Sequence, residues 1–383
     1  MSMSDEPETA SGTVAHDAAR RASRATVTID LAAIADNVAL LRKRAAPAEL
    51  WAVVKADGYG HGASVVGAAA LAAGAAKLCV ATWEEARALR RDLPDAPVLV
   101  MSPLAPGEEE DVHGVEVAVS SREGYDRLRA AVREPLRVHV KVDTGMGRWG
   151  MTAADAQRVG DELNRSGPLQ LAGLMSHLAS ADDDADHTQR QLERFAAVSE
   201  RISPCPRHIA NSAATLATEG AAWDAVRCGI AVYGLSPFLD EPGAHGLRPA
   251  LRFESYVAQL KLLQPGESAG YGRRFIAQRP TWIGLAPAGY ADGVPRLLSG
   301  RLDVLVRGRR RRVAATISMD QLTFVVGDEC DVELGDAVVL IGNDGGERIG
   351  AEEWARLSET ISYEILTDIA PRRRRVEHVV VGG

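Results

Sequence analysis

A chain of 383 residues has room for two domains, and its 46% hydrophobic and 25% charged residues match an ordinary globular protein. Lys+Arg 44 against Asp+Glu 52 leaves a net charge of −8, which disfavours wholesale phosphate-backbone binding, so no nucleic-acid partner is expected. The four cysteines, Cys79, Cys205, Cys228 and Cys330, lack C-x-x-C spacing and read as free thiols in a reducing compartment.

The first 24 residues carry Asp5, Glu6, Glu8 and Asp17 and no apolar stretch of the kind a signal peptide needs. Residues 1–23 hold almost no large apolar side chain, so a disordered leader is expected there. From 24 to 245 short β-rich runs alternate with helical stretches. "ATVTIDL" precedes a helix over 37–45; "LWAVVKA" precedes an Ala-rich helix over 62–76; "AKLCVAT" precedes a helix over 84–91. The run 63–76 is broken by Ser64, Gly67 and Gly74 and falls short of the roughly 18 residues of a membrane span, so no membrane partner and a cytoplasmic location are expected. "APVLVMS", "GVEVAVSS" and "LRVHVKVD" follow, then "LQLAGLMSH", a long helix over 186–200, "PRHIANS" and "AVRCGIAVYG". These runs lack clean alternation, as parallel strands buried on both faces do. Eight or so of them in about 220 residues predict an α/β fold, a (β/α)8 TIM-type barrel.

Near residue 240 the pattern changes. "PFLDEPGAHGLRP" reads as a linker, and over 246–383 helix signals nearly vanish. A mainly β C-terminal domain is predicted there, with one clear helix at "GAEEWARLSET". The arginine runs 309–312 and 372–375 adjoin strands without interleaved aromatics, which favours solvated hairpin or edge positions over nucleic-acid contact.

In such a barrel, chemistry collects after the C-terminal strand ends. "WAVVK" ends in Lys55, where burial depresses the ammonium pKa and frees the amine for a Schiff base. A lone strand-end lysine more often snorkels to solvent. Gly58, Gly60 and Gly62 shift that reading by letting backbone approach a ligand, with Tyr59 and His61 beside them. "HVKVDTGMGRWG" sets Lys141, Asp143 and Arg148 around a Gly-rich turn, while His177, Asn211 and Ser212 end later strands. Arg227 precedes the amides of Gly229 and Ile230, which suit a phosphate. Singly, His177 could be a satisfied core histidine, Asn211 a turn residue and Arg227 half of an ion pair. Jointly they mark a site.

The series "AVVKADGYGHG", "KVDTGMGRWGM", "HIANSAA", "VRCGIAVYGL", "AGYGRRF", "GYADGVPR", "SMDQ" and "ISYEILT" resembles the motifs of bacterial alanine racemases, fold-type III pyridoxal phosphate enzymes, over about residues 25–370. The resemblance implies that Lys55 is the Schiff-base lysine and one catalytic base, and that Tyr271 is the opposing base, supplied by a partner subunit. It implies that His177 and Arg227 bond in series behind that tyrosine and that Arg227 faces the pyridine nitrogen. Tyr59, Asn211, Ser212, Gly229, Ile230 and Tyr363 would surround the rest of the cofactor. Arg148 and the Met319 amide would bind the substrate carboxylate, with Asp320 adjacent. Lys141 resembles a lysine that many members carbamylate, and Tyr290 and Asp182 resemble entrance residues. An isomerase that interconverts L-alanine and D-alanine as an obligate homodimer, for cell-wall D-alanine biosynthesis, is the implied function. Two departures stand out: Ser318 where many members have cysteine, and "DIAPRRRRV" after the last motif. A serine or broad-specificity racemase, an amino-acid decarboxylase and a non-catalytic pyridoxal phosphate carrier are the alternatives. An arginine at the pyridine nitrogen disfavours decarboxylation, and the large β domain disfavours a mere carrier.

Overall fold

The computed structural model describes residues 23–369 and 375–380, apart from 166 and 203. The expected leader lies outside the described residues except for Ser23, and so do the side chains of the second arginine run. Contacts divide the chain into two compact units: Asp30–Ala250, and Leu251–Val379 together with the segment before Asp30.

The first unit is a closed parallel barrel. After β1 (Thr26–Asp30) and helix α1 (Leu31–Ala45), its strands are β2 (Glu49–Val53), β3 (Lys77–Val80), β4 (Val98–Val100), β5 (Glu116–Val119), β6 (Leu136–Lys141), β7 (Leu169–Met175), β8 (Arg207–His208) and β9 (Ala225–Cys228). The register closes where Trp51 of β2 faces Arg227 of β9. Alternating with them run α2 (Ala63–Ala72), α3 (Trp83–Asp92), α4 (Arg122–Ala131), α5 (Ala153–Leu163), α6 (Ala185–Ser199) and α7 (Ser212–Ala217). Of these, α3, α4, α5 and α6 are amphipathic in the way the barrel wall demands, whereas α2 is Ala-rich and apolar nearly all round. In α3, Trp83, Ala86 and Leu89 recur at three-residue spacing on the buried face, while Arg90 and Arg91 end the helix where its dipole is negative. Truncating Leu89, 1% exposed, to alanine costs about 2–5 kcal/mol.

Two expectations change here. The run "ATVTIDL", read in series with the barrel strands, does not enter the barrel: β1 pairs antiparallel with β10 (Leu251–Tyr256). Strand type was legible, but pairing partner depends on residues more than 220 positions away. The stretch read as a linker belongs to the barrel unit instead. Pro242 is buried, and Arg248 forms an ion pair with Asp30 at 2.6 Å.

The second unit is built on a largely antiparallel sheet. After β10 come β11 (Gln259–Leu263), the hairpin β12 (Ser268–Ala269) and β13 (Phe275–Ile276), β14 (Thr281–Ala286), β15 (Asp303–Val306), β16 (Arg309–Ala314), β17 (Leu322–Gly327), β18 (Ala337–Asp344), β19 (Glu347–Ile349) and β20 (Arg375–Val379). The sheet order is β11-β14-β17-β16-β15-β18-β10-β1-β20, with β19 pairing off β18. Strict alternation of burial along β10 fits a sheet with one covered face. Among its described residues two α-helices occur, α8 (Ala351–Ser358) and α9 (Ser362–Asp368); the second coincides with the "ISYEILT" motif and was not expected. The arginine run 309–312 forms a hairpin strand in the sheet interior rather than at an edge. Arg310 meets Glu347 and Glu353, Arg311 meets Asp331 and Arg312 meets Asp303, so its charge is locally balanced. Among the described residues, no helix is long and apolar enough to cross a membrane.

Candidate active site

Lys55 sits just past the strand rather than on it, opening a turn over Lys55–Tyr59. Ala56, Asp57, Gly58 and Tyr59 all have φ between 51 and 61°. Left-handed backbone costs about 1–2 kcal/mol at each non-glycine residue, so neighbours must hold it. The Glu85 carboxylate does so, accepting from Ala56 N and Ala81 N, both at 2.7 Å. Asp57 Oδ1 accepts from Ala63 N at 2.9 Å. Gly58 packs where a Cβ would lie 3.3 Å from the Ala63 backbone. Burial, then the Arg148 charge, lowers the Lys55 pKa, with Glu85 opposing. The amine is thereby poised to act as nucleophile or base.

Around it the barrel gathers cations. Lys141, 5% exposed at the end of β6, has its pKa lowered to about 7 by burial, then by Arg227 and Arg148. The nearby Asp143 carboxylate is engaged elsewhere: it accepts from Gly145 N and Met146 N, both at 2.9 Å, and from Gly147 N at 3.0 Å. Arg227, 4% exposed on β9, donates from Nη1 to His208 Nδ1 (2.6 Å) and His208 O (2.9 Å). Its Nη2 donates to Ser176 O (2.7 Å) and His177 Nδ1 (3.3 Å). Burial lowers its pKa to about 10, which still leaves it charged at neutral pH. Its Nε–H has no partner among the described residues. His177 is held neutral by burial and by Arg227, and Gln191 fixes its carbonyl at 3.0 Å.

Three of the residues expected at the phosphate, Tyr59, Ser212 and Gly229, come together. Ser212 Oγ accepts from Gly229 N at 3.0 Å and Ala231 N at 3.4 Å. A Cβ on Gly229 would lie 2.3 Å from the Tyr59 hydroxyl, so only glycine fits there. Ile230 is fully buried beside it. Asn211 has the quieter role: its side chain caps α7 by accepting from Ala214 N at 3.0 Å. His61 lies buried behind the turn, its Nδ1 3.0 Å from Tyr59 O and its ring 4.6 Å from that of Tyr233. Arg148 is exposed beside Trp149, and Asp182 is exposed before α6.

In the second unit, Tyr271 follows Gly270 in the β12–β13 hairpin and is 71% exposed, its carbonyl held by Thr316 Oγ at 3.1 Å. Met319 is 48% exposed on a loop whose carbonyls at 318 and 319 accept from Tyr290 N (3.0 Å) and Ala291 N (2.9 Å). A Cβ on Gly289 would lie 2.3 Å from Ser318 O, so the "GYADG" glycine permits this loop contact. Tyr290 is 42% exposed, Arg24 contacts Asp320, and Tyr363 lies half-buried in the first turn of α9.

Residues 29–237 match the family of alanine racemase N-terminal domains, and residues 250–377 match that of alanine racemase C-terminal domains. The chain belongs to the alanine racemase family. The alanine racemase of Symbiobacterium thermophilum is 44% identical over 355 residues, spanning 90% of this chain and 94% of that protein. The crystal structure of alanine racemase from D-cycloserine-producing Streptomyces lavendulae superposes with a TM-score of 0.87 at 39% identity, covering 94% and 98% of the two chains. That of Bartonella henselae alanine racemase, which carries covalently bound pyridoxal phosphate, gives 0.84 at 29% identity, covering 93% and 99%.

For a member of the alanine racemase family, three functional neighbours escaped the sequence reading: Glu85, His139 and His208. Glu85 was visible as the fourth residue of "TWEE", a capping box with Thr82. His139 stands two residues before Lys141 on the same strand, and period-2 alternation places both on one face. His208 opens the motif "HIANSAA", three residues before Asn211, but nothing local names its partners.

Proposed function

We propose that the chain interconverts L-alanine and D-alanine through two bases on opposite faces of the substrate, Lys55 and Tyr271, and supplies D-alanine for peptidoglycan. The hydrogen bonding of Arg227 carries the reading. Its two Nη atoms are engaged by the barrel, so its Nε–H is the donor left for the ring nitrogen of pyridoxal phosphate. A guanidinium gives up its proton poorly, so it supports that nitrogen without fully protonating it.

When bound, the cofactor, pyridoxal phosphate as in the family, supplies a sink for the electron pair left at the substrate α-carbon. Lys55 would hold it covalently, and its pKa-lowered amine takes or returns the α-proton on one face. Tyr271, from a second copy of the chain, serves the other face; its exposure in the single chain supports that assignment. His177, its Nδ1 occupied by Arg227, presents Nε2–H to the tyrosine oxygen and stabilises its anionic form. Tyr59, Tyr363, the Ser212 hydroxyl and the Ile230 amide would bind the phosphate; Gly229, whose N–H goes to Ser212 Oγ, gives the backbone its close approach, and Asn211 shapes the turn beneath. Arg148 and the Met319 amide bind the substrate carboxylate, and Tyr290 and Asp182 line the entrance. The restrained ring nitrogen disfavours decarboxylation, which needs the stronger sink.

Lys141 carries a carbamate in this scheme. Its amine is substantially neutral near pH 7 and can add carbon dioxide with loss of one proton. The resulting anion replaces repulsion from Arg148 and Arg227 with attraction.

The test is formation of D-alanine from L-alanine, with L-serine assayed alongside. Equal approach to a racemic mixture from either alanine enantiomer is expected, and its loss in Lys55→Ala together with the visible absorption band. Bound cofactor without D-alanine formation would refute the activity. Faster turnover of serine would move the assignment to a broader racemase.

A further inference from the structure

A hydrogen-bonded chain crosses the barrel interior from the N-terminal rim to the site, and the mechanism above uses only its last link. Glu116 opens β5 and is 14% exposed at its side chain. Its Oε2 lies 2.7 Å from His139 Nε2, and it also meets Lys77 and, at 2.7 Å, Arg137. His139 Nδ1 lies 2.9 Å from His208 Nε2, and His208 Nδ1 lies 2.6 Å from Arg227 Nη1.

The proton positions follow from donor and acceptor counting alone. A guanidinium only donates, so His208 Nδ1 must be a bare acceptor. The His208 proton is therefore on Nε2, and it donates to His139 Nδ1. His139 is then bare at Nδ1, carries its proton on Nε2 and donates to the Glu116 carboxylate. A second proton on either ring would set two donors face to face. Both imidazoles are thus neutral and every N–H points one way, from Arg227 toward Glu116.

The packing keeps the rings in that register. The Trp51 ring lies 4.5 Å from that of His208 and 5.8 Å from that of His139. A Cβ on Gly173 of β7 would lie 2.4 Å from His139 Nδ1, so the glycine makes room for the ring. Burial lowers both histidine pKa values, in agreement with neutral rings. Burial would raise the Glu116 carboxyl, but the hydrogen bonds from His139 and Lys77 hold it well below the carboxylate range.

We propose that Glu116, His139 and His208 are positioning residues for Arg227: a one-way hydrogen-bond relay that fixes the guanidinium in place and transmits the Glu116 charge to it. No proton changes hands along the relay. It aligns the Arg227 donors and biases the charge of the guanidinium inward, weakening what it lends to the cofactor ring nitrogen. This functional half rests on the reading of Arg227 given above; the tautomer assignment does not.

Ring-15N histidine labelling of the holoenzyme tests the relay directly. Both His139 and His208 should be neutral with the proton on Nε2 between about pH 6 and about pH 9. An Nδ1–H tautomer or an imidazolium at either position overturns it. The charge is tested by Glu116→Gln, which keeps an acceptor for His139 but no anion. Its kcat should change roughly 10-fold or more with little change in KM, by analogy with groups that orient metal ligands from behind. The pH dependence of the bound cofactor's visible band should shift as well. Wild-type kcat and band in a folded Glu116→Gln overturn the charge transmission. If that variant fails to fold, the tautomers of the wild-type enzyme still decide the relay. Expected tautomers in a wild-type protein that binds no cofactor would overturn the reading of the site, and with it the functional half of the proposal.

Discussion

Lys141 shows how a single buried amine couples folding to pH. Its pKa is depressed from 10.5 to about 7 in the folded chain, with burial the largest cause. Between about pH 7 and 10.5 the unfolded chain therefore binds more protons, and stability rises with pH across that window. Below about pH 7 the penalty is complete, at roughly 5 kcal/mol as an upper bound for a shift of this size. Lys141→Met should stabilise the apo-protein in carbon-dioxide-free buffer, more at pH 7 than at pH 10, as read by urea unfolding at both. Lys55 adds a slope of the same sign to both proteins and, because its charge also weighs on Lys141, cancels in part. Labelled bicarbonate should give the wild-type protein a carbamate carbon resonance that Lys141→Met lacks. Unchanged stability and no resonance would show that the amine is better solvated than its burial suggests.

At the scale of elements, the decisive unit is the turn after β2 with the first turn of α3. Glu85 joins them: it completes the cap of α3 and accepts from Ala56 N, directly after Lys55. Glu85→Gln turns an NH2 group toward backbone donors and should cost about 1–2 kcal/mol. Amide hydrogen exchange over residues 55–62 should quicken more than in the rest of the barrel. Exchange unchanged there would mean that Asp57 and the packing of Gly58 suffice to hold the left-handed backbone. Motif spacing announced the glycines of this turn. It did not announce that Ala56, Asp57 and Tyr59 share their positive φ, because that strain is tolerated only where Glu85 arrives from the next strand-helix connection.

On the scale of the whole molecule, the proposed catalytic groups divide between units, Lys55 in the barrel and Tyr271 in the β unit. Tyr271, Ile276, Leu297 and Met319 of the β unit are exposed, and the proposed function has Tyr271 serve a second copy of the chain. Lys55→Ala and Tyr271→Phe should each be inactive, and mixing them should restore part of the activity after subunit exchange. No recovery, with exchange shown independently, would place both bases in one chain.

Residue type and order determined much of this protein. Apolar runs without alternation, separated by amphipathic helices, specify a parallel barrel because each strand must be buried on both faces. Lys55, Lys141, Arg148, His177 and Arg227 were visible because strand ends in such a barrel face one mouth. The tertiary structure alone decided three things. It sent β1 to the β unit's sheet, because strand pairing is chosen among distant segments of similar composition. It placed the stretch before Ala250 against the barrel, where Arg248 meets Asp30. And it put Glu116, His139, His208 and Arg227 in one line, since the direction of a hydrogen bond across a barrel depends on closure and register, which no local sequence window contains.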